Sequence, residues 1–345
     1  MILRESRALE WIQQRADEFR AYPYMIEKVI RALTLLESLV SAELNFIFKG
    51  GTSLMLLIDE PRRFSIDIDI LVDPETTVED ILAEVSAAAG FDRYEEDIRK
   101  PRNIVKKHYK FYYGSVIVEE EAYVLLDVVF QANPFTDLES VPVKHFLLQS
   151  GDEPINVLIP PLPALLGDKL TAFAPTTCGV LLEDDRMGVA KQLYDVAGIY
   201  DRLTNLETVL ENYQNVCAQV IQYRGVLLTP NDVLQDTIDT AINFCSHGNC
   251  GRVDQDQYRI LIDGIHRLAQ HIYGEKFRGA KPEIAMAKSA YIASCIRKRI
   301  KTKLVYSSEE DLSTWTFDDK RLVWLNKMKK GNPEAFFFMF RALAE

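Results

Sequence analysis

Two aspartates separated by one residue are the first candidates for chemistry in this chain. Asp67 and Asp69 alternate with isoleucines in the segment Ile66 to Val72. Because successive side chains of a β-strand point to opposite faces, this alternation predicts a strand with both carboxylates on one face. Two carboxylates so close together repel each other unless a cation lies between them. A hard divalent ion that prefers oxygen ligands, most simply Mg²⁺, suits such a pair.

A glycine turn upstream predicts a binding site for phosphate. Gly50 and Gly51 lack a Cβ, so backbone N–H groups at this turn can approach a ligand closely. Thr52 is a good N-cap, which predicts a helix that starts there and directs its positive end toward the same place. A phosphate cradle beside a metal-binding pair predicts a site for a nucleoside triphosphate with Mg²⁺.

A third aspartate interrupts an apolar strand. Asp127 lies within the segment Val124 to Val129, where a lone carboxylate is costly to bury. If this strand pairs beside the Asp67–Asp69 strand, Asp127 can face the same side as the other two carboxylates. The alternative is a structural carboxylate that accepts hydrogen bonds from an arginine or from backbone donors.

The composition is that of an ordinary soluble globular protein. The chain has 345 residues, of which 48% are hydrophobic and 26% charged, and this length suggests two domains or one core with a helical extension. A net charge of −11 means that any nucleic-acid contact depends on a local basic patch. Five scattered cysteines, a charged N-terminal segment and the lack of a long uncharged apolar run predict a cytoplasmic protein with no membrane contact.

The secondary-structure pattern changes near residue 160. Residues 5 to 42 are helical in pattern with a break at Pro23, and mixed helices and strands follow up to residue 160. Nearly all later segments show helical periodicity. The predicted later helices are 162–174, 187–202, 205–223, 230–246, 255–273, 283–303, 319–329 and 333–344.

These motifs together resemble a known enzyme family. A Gly-Gly-Thr turn, a helix and an Asp-x-Asp strand resemble the signature of the polymerase-β-like nucleotidyltransferases. The fuller strings, Lys49 to Leu54 and Arg63 to Ile70, resemble the AbiEii abortive-infection toxin family. The resemblance implies an α+β fold with a nucleotidyltransferase-type mixed sheet flanked by helices, followed by an all-α C-terminal domain. The expected domains are 1–160, catalytic with N-terminal helices, and 161–345, helical.

The segment 165–172 resembles a later motif of this family, in which a helical lysine contacts the triphosphate. Lys169 occupies that position, and the resemblance implies that the helical domain contributes it to the site. The alternative is a solvated helix face on which Lys169 pairs with Asp168. A lysine is a compact donor that suits phosphate oxygens.

The segment 191–196 resembles a further basic and acidic element of the family. Asp195 is the expected organiser of Lys169 or of the nucleotide, and Lys191 is an expected nucleotide contact. Gln192 departs from the family pattern, and if the acid expected there has an essential function, Gln192 cannot perform it. An ordinary pair between Lys191 and Asp195, four residues apart on one helix, is the alternative.

Three more candidate residues lie around the glycine turn. Lys49 could reach a phosphate or be a surface lysine at a strand end. Ser65, two residues before Asp67 on the same strand face, suits a role beside the nucleotide. Arg63 belongs either to the site or to a salt bridge with a neighbouring acid.

Two basic clusters and one group of possible zinc ligands complete the candidates. Residues 99–113 combine basic and aromatic side chains, and residues 297–303 are strongly basic; both suit an RNA backbone or a solvated face. Cys245, His247 and Cys250 could suggest zinc, but their spacing is more typical of a helix-capping loop.

The resulting hypothesis is an enzyme that transfers a nucleoside monophosphate (NMP) from a nucleoside triphosphate (NTP), using two Mg²⁺ ions. The resemblance implies an RNA acceptor such as tRNA, a role as the toxin of a toxin–antitoxin or phage-defence pair, and a cognate antitoxin as partner. One alternative is transfer to a protein side chain or to a small molecule such as an aminoglycoside. Another is a non-catalytic nucleotide-binding module.

Overall fold

Two compact units make up the part of the chain that this computed structural model describes, residues 1–98, 105–247 and 255–344. The first unit comprises Met1–Asn133, Asp137–Pro161 and Gln270–Lys276, and the second comprises Pro134–Thr136, Leu162–Ala269 and Phe277–Glu345. In these described ranges, no helix combines the length and the apolar character needed to cross a membrane.

The first unit contains a five-stranded mixed sheet with the strand order β1-β2-β5-β4-β3. Strands β2 and β5 run parallel, and every other neighbouring pair is antiparallel. A separate antiparallel pair is formed by β6 and β7. The elements of this unit are a 3₁₀ helix Arg4–Arg7, α1 Leu9–Phe19, α2 Pro23–Ser41, β1 Ile47–Lys49, α3 Gly50–Leu57, β2 Ile68–Val72, α4 Glu79–Ala89, β3 Arg93–Glu96, β4 Lys106–Gly114, β5 Glu121–Phe130, β6 Glu139–Pro142 and β7 Asn156–Ile159.

The two faces of the five-stranded sheet differ in polarity because the side chains alternate along each strand. On β5, Val124, Leu126 and Val128 are buried, and α2 contacts β2 and β5. Tyr123 and Asp127 belong to the opposite face, which is more exposed and polar. The sheet therefore has one face covered by helices and one face available for chemistry.

The described residues of the second unit form helices, with no strand among them. Helix α10 is its central element, because nearly every residue from Pro282 to Ile296 is buried and it contacts α6, α8 and α12. A helix that is apolar on all sides belongs inside a bundle. The helices are α5 Leu162–Ala172, α6 Arg186–Arg202, α7 Val209–Arg224, α8 Pro230–Cys245, α9 Gln255–Leu268, α10 Ala280–Lys298, a 3₁₀ helix Val323–Lys327, α11 Met328–Gly331 and α12 Pro333–Leu343. A 3₁₀ turn, Ala269–His271, spans the point where the chain passes from the second unit to the first.

The predicted fold class is confirmed: a mixed sheet flanked by helices, then a helical C-terminal region. In the predicted helix 255–273 the α-helix ends at Leu268, and in the predicted helix 319–329 residues Val323–Lys327 form a 3₁₀ helix. The predicted helix 283–303 is also too long at its C-terminal end. The helix ends at Lys298, and Arg299 adopts a left-handed conformation with φ of 57°. The chain beyond Arg299 leaves the helix and contacts α6, where Lys303 donates through Nζ to the carbonyls of Asp201 and Leu203 at the C-terminal end of that helix.

Candidate active site

A row of four polar residues crosses the open face of the sheet in the first unit. Lys49 on β1 pairs with Asp69 on β2, Asp69 pairs with Asp127 on β5, and Asp127 pairs with His108 on β4. Residues paired across strands point to the same face, and neighbouring strands lie about 4.8 Å apart. The register therefore places the carboxylates of Asp69 and Asp127 side by side, with a cationic or ionisable residue at each end.

Asp67 lies one residue before β2, because the strand begins at Ile68 and not at Ile66 as predicted. The backbone carbonyl of Asp67 accepts a hydrogen bond from the Thr52 hydroxyl at 2.6 Å. This bond ties the start of β2 to helix α3. Asp67 precedes Asp69 by two residues, which is the spacing of side chains that share one face of a strand.

The glycine turn lies directly against Asp69. Gly50 has φ of +83°, and a Cβ built on it would lie 2.0 Å from Asp69 Oδ2. No larger residue fits this backbone conformation or this space, since L side chains rarely adopt a φ in this range. The turn and the aspartate row therefore form one site.

The expected N-cap role of Thr52 is wrong. Helix α3 begins at Gly50 with Lys49 at its N-cap position, and no described side chain caps it. Thr52 is fully buried within the first turn of α3, and its hydroxyl donates to the Asp67 carbonyl and does not accept from an N–H group of the helix as an N-cap would. The first amides of a helix have no acceptor within the helix, so they remain the anion-binding groups of the turn. A phosphate at this turn would meet the backbone of Thr52 and not its side chain.

Arg63 and Ser65 lie against the second glycine of the turn. A Cβ on Gly51 would approach Arg63 Nη2 to 2.5 Å and Ser65 Oγ to 2.7 Å. Arg63 and Ser65 are only 6% and 8% exposed. Glu60, one of the neighbouring acids considered as a partner of Arg63, pairs with Arg62 at 2.6 Å. The structure thus brings a buried guanidinium and a hydroxyl to the predicted phosphate cradle.

His108 is the site residue that sequence reasoning missed. Its Nδ1 lies 2.7 Å from Asp127 Oδ1, and the side chains of His108 and Asp127 are 14% and 23% exposed. The alternation of β4 predicts which side chains share a face with His108, but the strand register decides that it meets Asp127. The partner of Asp127 in this contact is a histidine, whereas the structural alternative expected an arginine or backbone donors, and the contact holds the carboxylate beside Asp69.

Lys28 on α2 is a second cation near the acids. Partial burial lowers the pKa of Lys28, while the charges of Asp67 and Glu27 oppose that shift. Its Nζ lies 5.0 Å from the centroid of the Tyr123 ring on β5. Lys28 therefore stands at the end of the sheet where Asp67 and Tyr123 lie.

Lys169 and Asp195 meet within the second unit. Lys169 Nζ on α5 lies 3.6 Å from Asp195 Oδ2 on α6, and the two side chains are 6% and 4% exposed. Lys191 is half-buried one turn before Asp195 on the same helix. The interaction agrees with the expected organisation of Lys169 by Asp195, while their contribution to the site of the first unit stays a prediction.

The donor set around Asp69 has the chemistry that Mg²⁺ requires. Neighbouring carboxylates supply only oxygen atoms, which hard divalent ions prefer. Among the described residues, however, no three or more His, Cys, Asp or Glu side chains are grouped closely enough to hold a metal ion as they stand. The metal assignment of Asp67, Asp69 and Asp127 therefore stays a prediction.

Lysines of both basic clusters take part in structural interactions. In the first cluster, whose residues 99–104 lie outside the described ranges, Lys107 and the Tyr109 hydroxyl hold Glu79. Burial raises the pKa of Glu79, but these hydrogen bonds outweigh it and lower the pKa to about 2. In the second cluster, Lys301 pairs with Glu207 at 2.8 Å, and Lys303 binds the end of α6.

The possible zinc ligands form part of a helix-capping region. His247 Nε2 lies 2.8 Å from Glu283 Oε1, and Cys245 Sγ donates to the Glu283 carbonyl at 3.7 Å. Cys250 lies outside the described residues. These contacts agree with the structural interpretation of this loop.

Comparisons with known proteins place the chain in a family. The search of curated proteins finds no match. Two solved structures from Helicobacter pylori, JHP933 and a candidate nucleotidyltransferase, each share 14% identity over 79% of this chain, with TM-scores of 0.45 and 0.42 and coverage of 90% and 94% of their own chains. Structural similarity with TM-scores below 0.5 does not support a conclusion about the function of this chain. The family described as nucleotidyl transferase AbiEii toxin, type IV TA system, matches residues 31–276, which is most of the chain. The resemblance inferred from Lys49 to Ile70 is therefore confirmed, and the chain belongs to the AbiEii family of nucleotidyltransferase toxins of type IV toxin–antitoxin systems.

Proposed function

We propose that this protein transfers an NMP group from an NTP to an acceptor, with Mg²⁺ held by Asp67, Asp69 and Asp127. The observation that carries the proposal is the contact between the glycine turn and the aspartate row, with Gly50 directly against Asp69. It supports a triphosphate whose outer phosphates lie at the start of α3 and whose α-phosphate lies over Asp69 and Asp127.

The reaction exchanges one phosphorus–oxygen bond for another. A hydroxyl oxygen of the acceptor bonds to the α-phosphorus, the bond between that phosphorus and the oxygen bridging to the β-phosphorus breaks, and pyrophosphate leaves with the electron pair. The hydroxyl proton passes to a base or to water. When bound, Mg²⁺ supplies charge stabilisation at the phosphates and makes the acceptor hydroxyl more acidic.

The residues of the chain bind and orient the reactants. Backbone amides of Gly50 and Gly51 at the start of α3 hold the β- and γ-phosphates, with Arg63 and Ser65 behind the turn. Lys49, at the β1 end of the row, offsets charge on the same phosphates. His108 positions the Asp127 carboxylate through its Nδ1.

The second unit is proposed to contribute Lys169, with Lys191 as a further nucleotide contact. A lysine is suited to the negative charge that develops on the leaving pyrophosphate. Asp195 would hold the Lys169 ammonium in position, as their separation of 3.6 Å supports.

The acceptor is proposed to be RNA, with tRNA as the first candidate. Membership of a type IV toxin family supports a toxic modification that a cognate antitoxin reverses or prevents. We infer that this toxin–antitoxin pair acts in phage defence. Such a reaction belongs in the cytoplasm, where NTPs and RNA occur together. A protein or small-molecule acceptor, or binding without transfer, would be distinguished by where the label goes.

The test is incubation of the protein with each of the four α-labelled NTPs and a cell lysate, followed by separation of RNA, protein and small molecules. We expect label in RNA with Mg²⁺, and a loss of at least 100-fold in the Asp69→Asn variant, which removes a charge from the row. Asp73→Asn is the matched control, because Asp73 is an exposed aspartate one residue beyond β2. Equal labelling by Asp69→Asn and Asp73→Asn would refute the proposed site. NTP binding without any transfer would leave only the nucleotide-binding module.

A further inference from the structure

Two tyrosines lie on the open face of the sheet beyond the aspartate row. Tyr112 on β4 and Tyr123 on β5 are partners in the strand register, and their ring centroids are 5.7 Å apart. Both tyrosines share the sheet face of Asp127. On β5, Tyr123 precedes Asp127 by four residues, and on β4, Tyr112 follows His108, the strand partner of Asp127, by four residues. Tyr123 is 41% exposed, which is high for an aromatic side chain in a sheet.

Cations surround these rings. The guanidinium carbon of Arg93 lies 3.6 Å from the Tyr112 centroid, and Lys28 and Lys110 Nζ lie 5.0 and 5.4 Å from the Tyr123 centroid. These distances are within the range of cation–π interactions. We call the two tyrosines and these three cations the tyrosine platform.

Carboxylates neutralise two of the three cations. Arg93 pairs with Glu121 at 2.8 Å and with Glu95 at 3.0 Å, and Lys110 pairs with Asp97 at 2.8 Å. Paired charges of opposite sign leave little net charge to attract a strongly basic or a strongly acidic peptide. A flat, uncharged nucleobase does not need such attraction, because it can stack on an aromatic ring, as single-stranded RNA does on other sheet surfaces.

The position of the tyrosine platform relative to the aspartate row indicates which of the two substrates, the NTP or the acceptor, the platform binds. The glycine turn lies at the β1 side of Asp69, so the leaving pyrophosphate lies on that side. In-line displacement requires the attacking hydroxyl on the opposite side of the α-phosphorus, toward β5 and β4. The platform lies on these two strands and on the same face, displaced along them from the row: Tyr123 is about 13 Å along β5 from Asp127, a span longer than one nucleotide.

We propose that the tyrosine platform binds the acceptor, a single-stranded RNA end, by stacking bases near the terminal nucleotide on Tyr112 and Tyr123. This inference rests on the proposed function, because the reacting hydroxyl must lie at Asp127. Stacking supplies most of the affinity, so binding depends only weakly on salt compared with a phosphate-gripping surface.

The test compares the double variant Tyr112→Ala/Tyr123→Ala with Tyr112→Phe/Tyr123→Phe and with Tyr22→Ala. Stacking on one aromatic ring is worth about 5- to 150-fold in affinity. We expect the double alanine variant to raise KM for the RNA acceptor by at least about 10-fold and to leave KM for NTP unchanged. The phenylalanine variant keeps the rings, so its KM for the RNA acceptor should stay closer to the wild-type value than that of the alanine variant. Tyr22, 64% exposed at the N-cap of α2, is the control tyrosine off the sheet.

Direct binding of a fluorescein-labelled single-stranded oligoribonucleotide, without NTP, provides a readout independent of transfer. The same loss in the double alanine variant, and none in Tyr22→Ala, would support the platform even if the wild-type protein transferred nothing, an outcome that would refute only the proposed reaction. Unchanged RNA binding and KM in the double variant would overturn the platform and leave the reaction standing. A rise in KM for NTP alone, or label found only in protein, would also overturn it. If the double variant does not fold, the single variant Tyr123→Ala gives the same comparison.

Discussion

Replacing Gly50 by alanine should damage the active site through one methyl group. The Cβ of Gly50→Ala would lie 2.0 Å from Asp69 Oδ2, and the carboxylate must retreat by about 1.4 Å to reach an ordinary contact of 3.4 Å. The backbone φ of +83° adds a strain of about 1–2 kcal/mol, because L residues are disfavoured in this region. The variant therefore combines a modest loss of stability with a displaced carboxylate at the proposed metal site.

The expected loss of activity follows from the displacement. A misplacement of about 1 Å in a catalytic group can cost about 100-fold in rate, so we expect kcat for transfer from α-labelled NTP to fall about 100-fold. The free energy of unfolding, measured by urea denaturation, should fall by only about 1–2 kcal/mol. At moderate temperature this leaves the variant folded, so the two effects are separable.

Gly90→Ala is the matched control for backbone strain. Gly90 ends α4 with a φ of +71°, and a Cβ there would meet Arg7 Nη1 at 2.6 Å, the far end of a flexible side chain. The free energy of unfolding of Gly90→Ala should fall by a similar amount, about 1–2 kcal/mol, but its kcat for transfer should stay that of the wild type. If Gly50→Ala is as active as Gly90→Ala, the proposed contact between the glycine turn and the reacting centre is wrong.

Two further predictions concern stability. The pKa of Glu79, about 2 against an ordinary 4.5, means that the folded state gains stability from this carboxylate above pH 4.5 and loses it as the pH falls toward 2. Because the Glu79 side chain is 40% exposed, Glu79→Gln should cost only about 1 kcal/mol at pH 7, and urea unfolding at pH 7, 4 and 3 should show the cost shrinking; a constant difference would contradict the linkage. The buried Asp236 carboxylate accepts hydrogen bonds from the Thr176 backbone N–H and from the hydroxyls of Thr176, Thr177 and Thr240. Asp236→Ala should therefore lower the free energy of unfolding by about 3 kcal/mol at pH 7, and a loss under about 1 kcal/mol would show that these donors find other partners.

Features that depend on neighbouring residues were predictable from the sequence. The alternation of isoleucine and aspartate identified the strand that carries Asp69, although its first paired residue is Ile68 and not Ile66. The change to helical periodicity after residue 160 identified the helices that begin with α5 at Leu162. Periodicity is a local property of the chain, so it needs no knowledge of the fold.

Features that depend on distant partners were not predictable in this way. Thr52 has the type of side chain that caps a helix, but α3 packs beside the start of β2, and the Thr52 hydroxyl donates to the Asp67 carbonyl there. His108 looked like one polar residue in a basic and aromatic run, and only the pairing of β4 with β5 brings it to Asp127. The clustering of Tyr112 with Tyr123 follows from the same register.

The sequence by itself determined the kinds of groups available for the reaction: an acid pair on a strand, a glycine turn and a third acid in an apolar segment. Tertiary structure decided which of these groups meet, since Asp69 contacts the turn at Gly50 and pairs with Asp127 only through the strand order β1-β2-β5-β4. The physical reason is that side-chain alternation is set residue by residue. The register between strands far apart in the chain is set by the packing of the whole sheet against its helices.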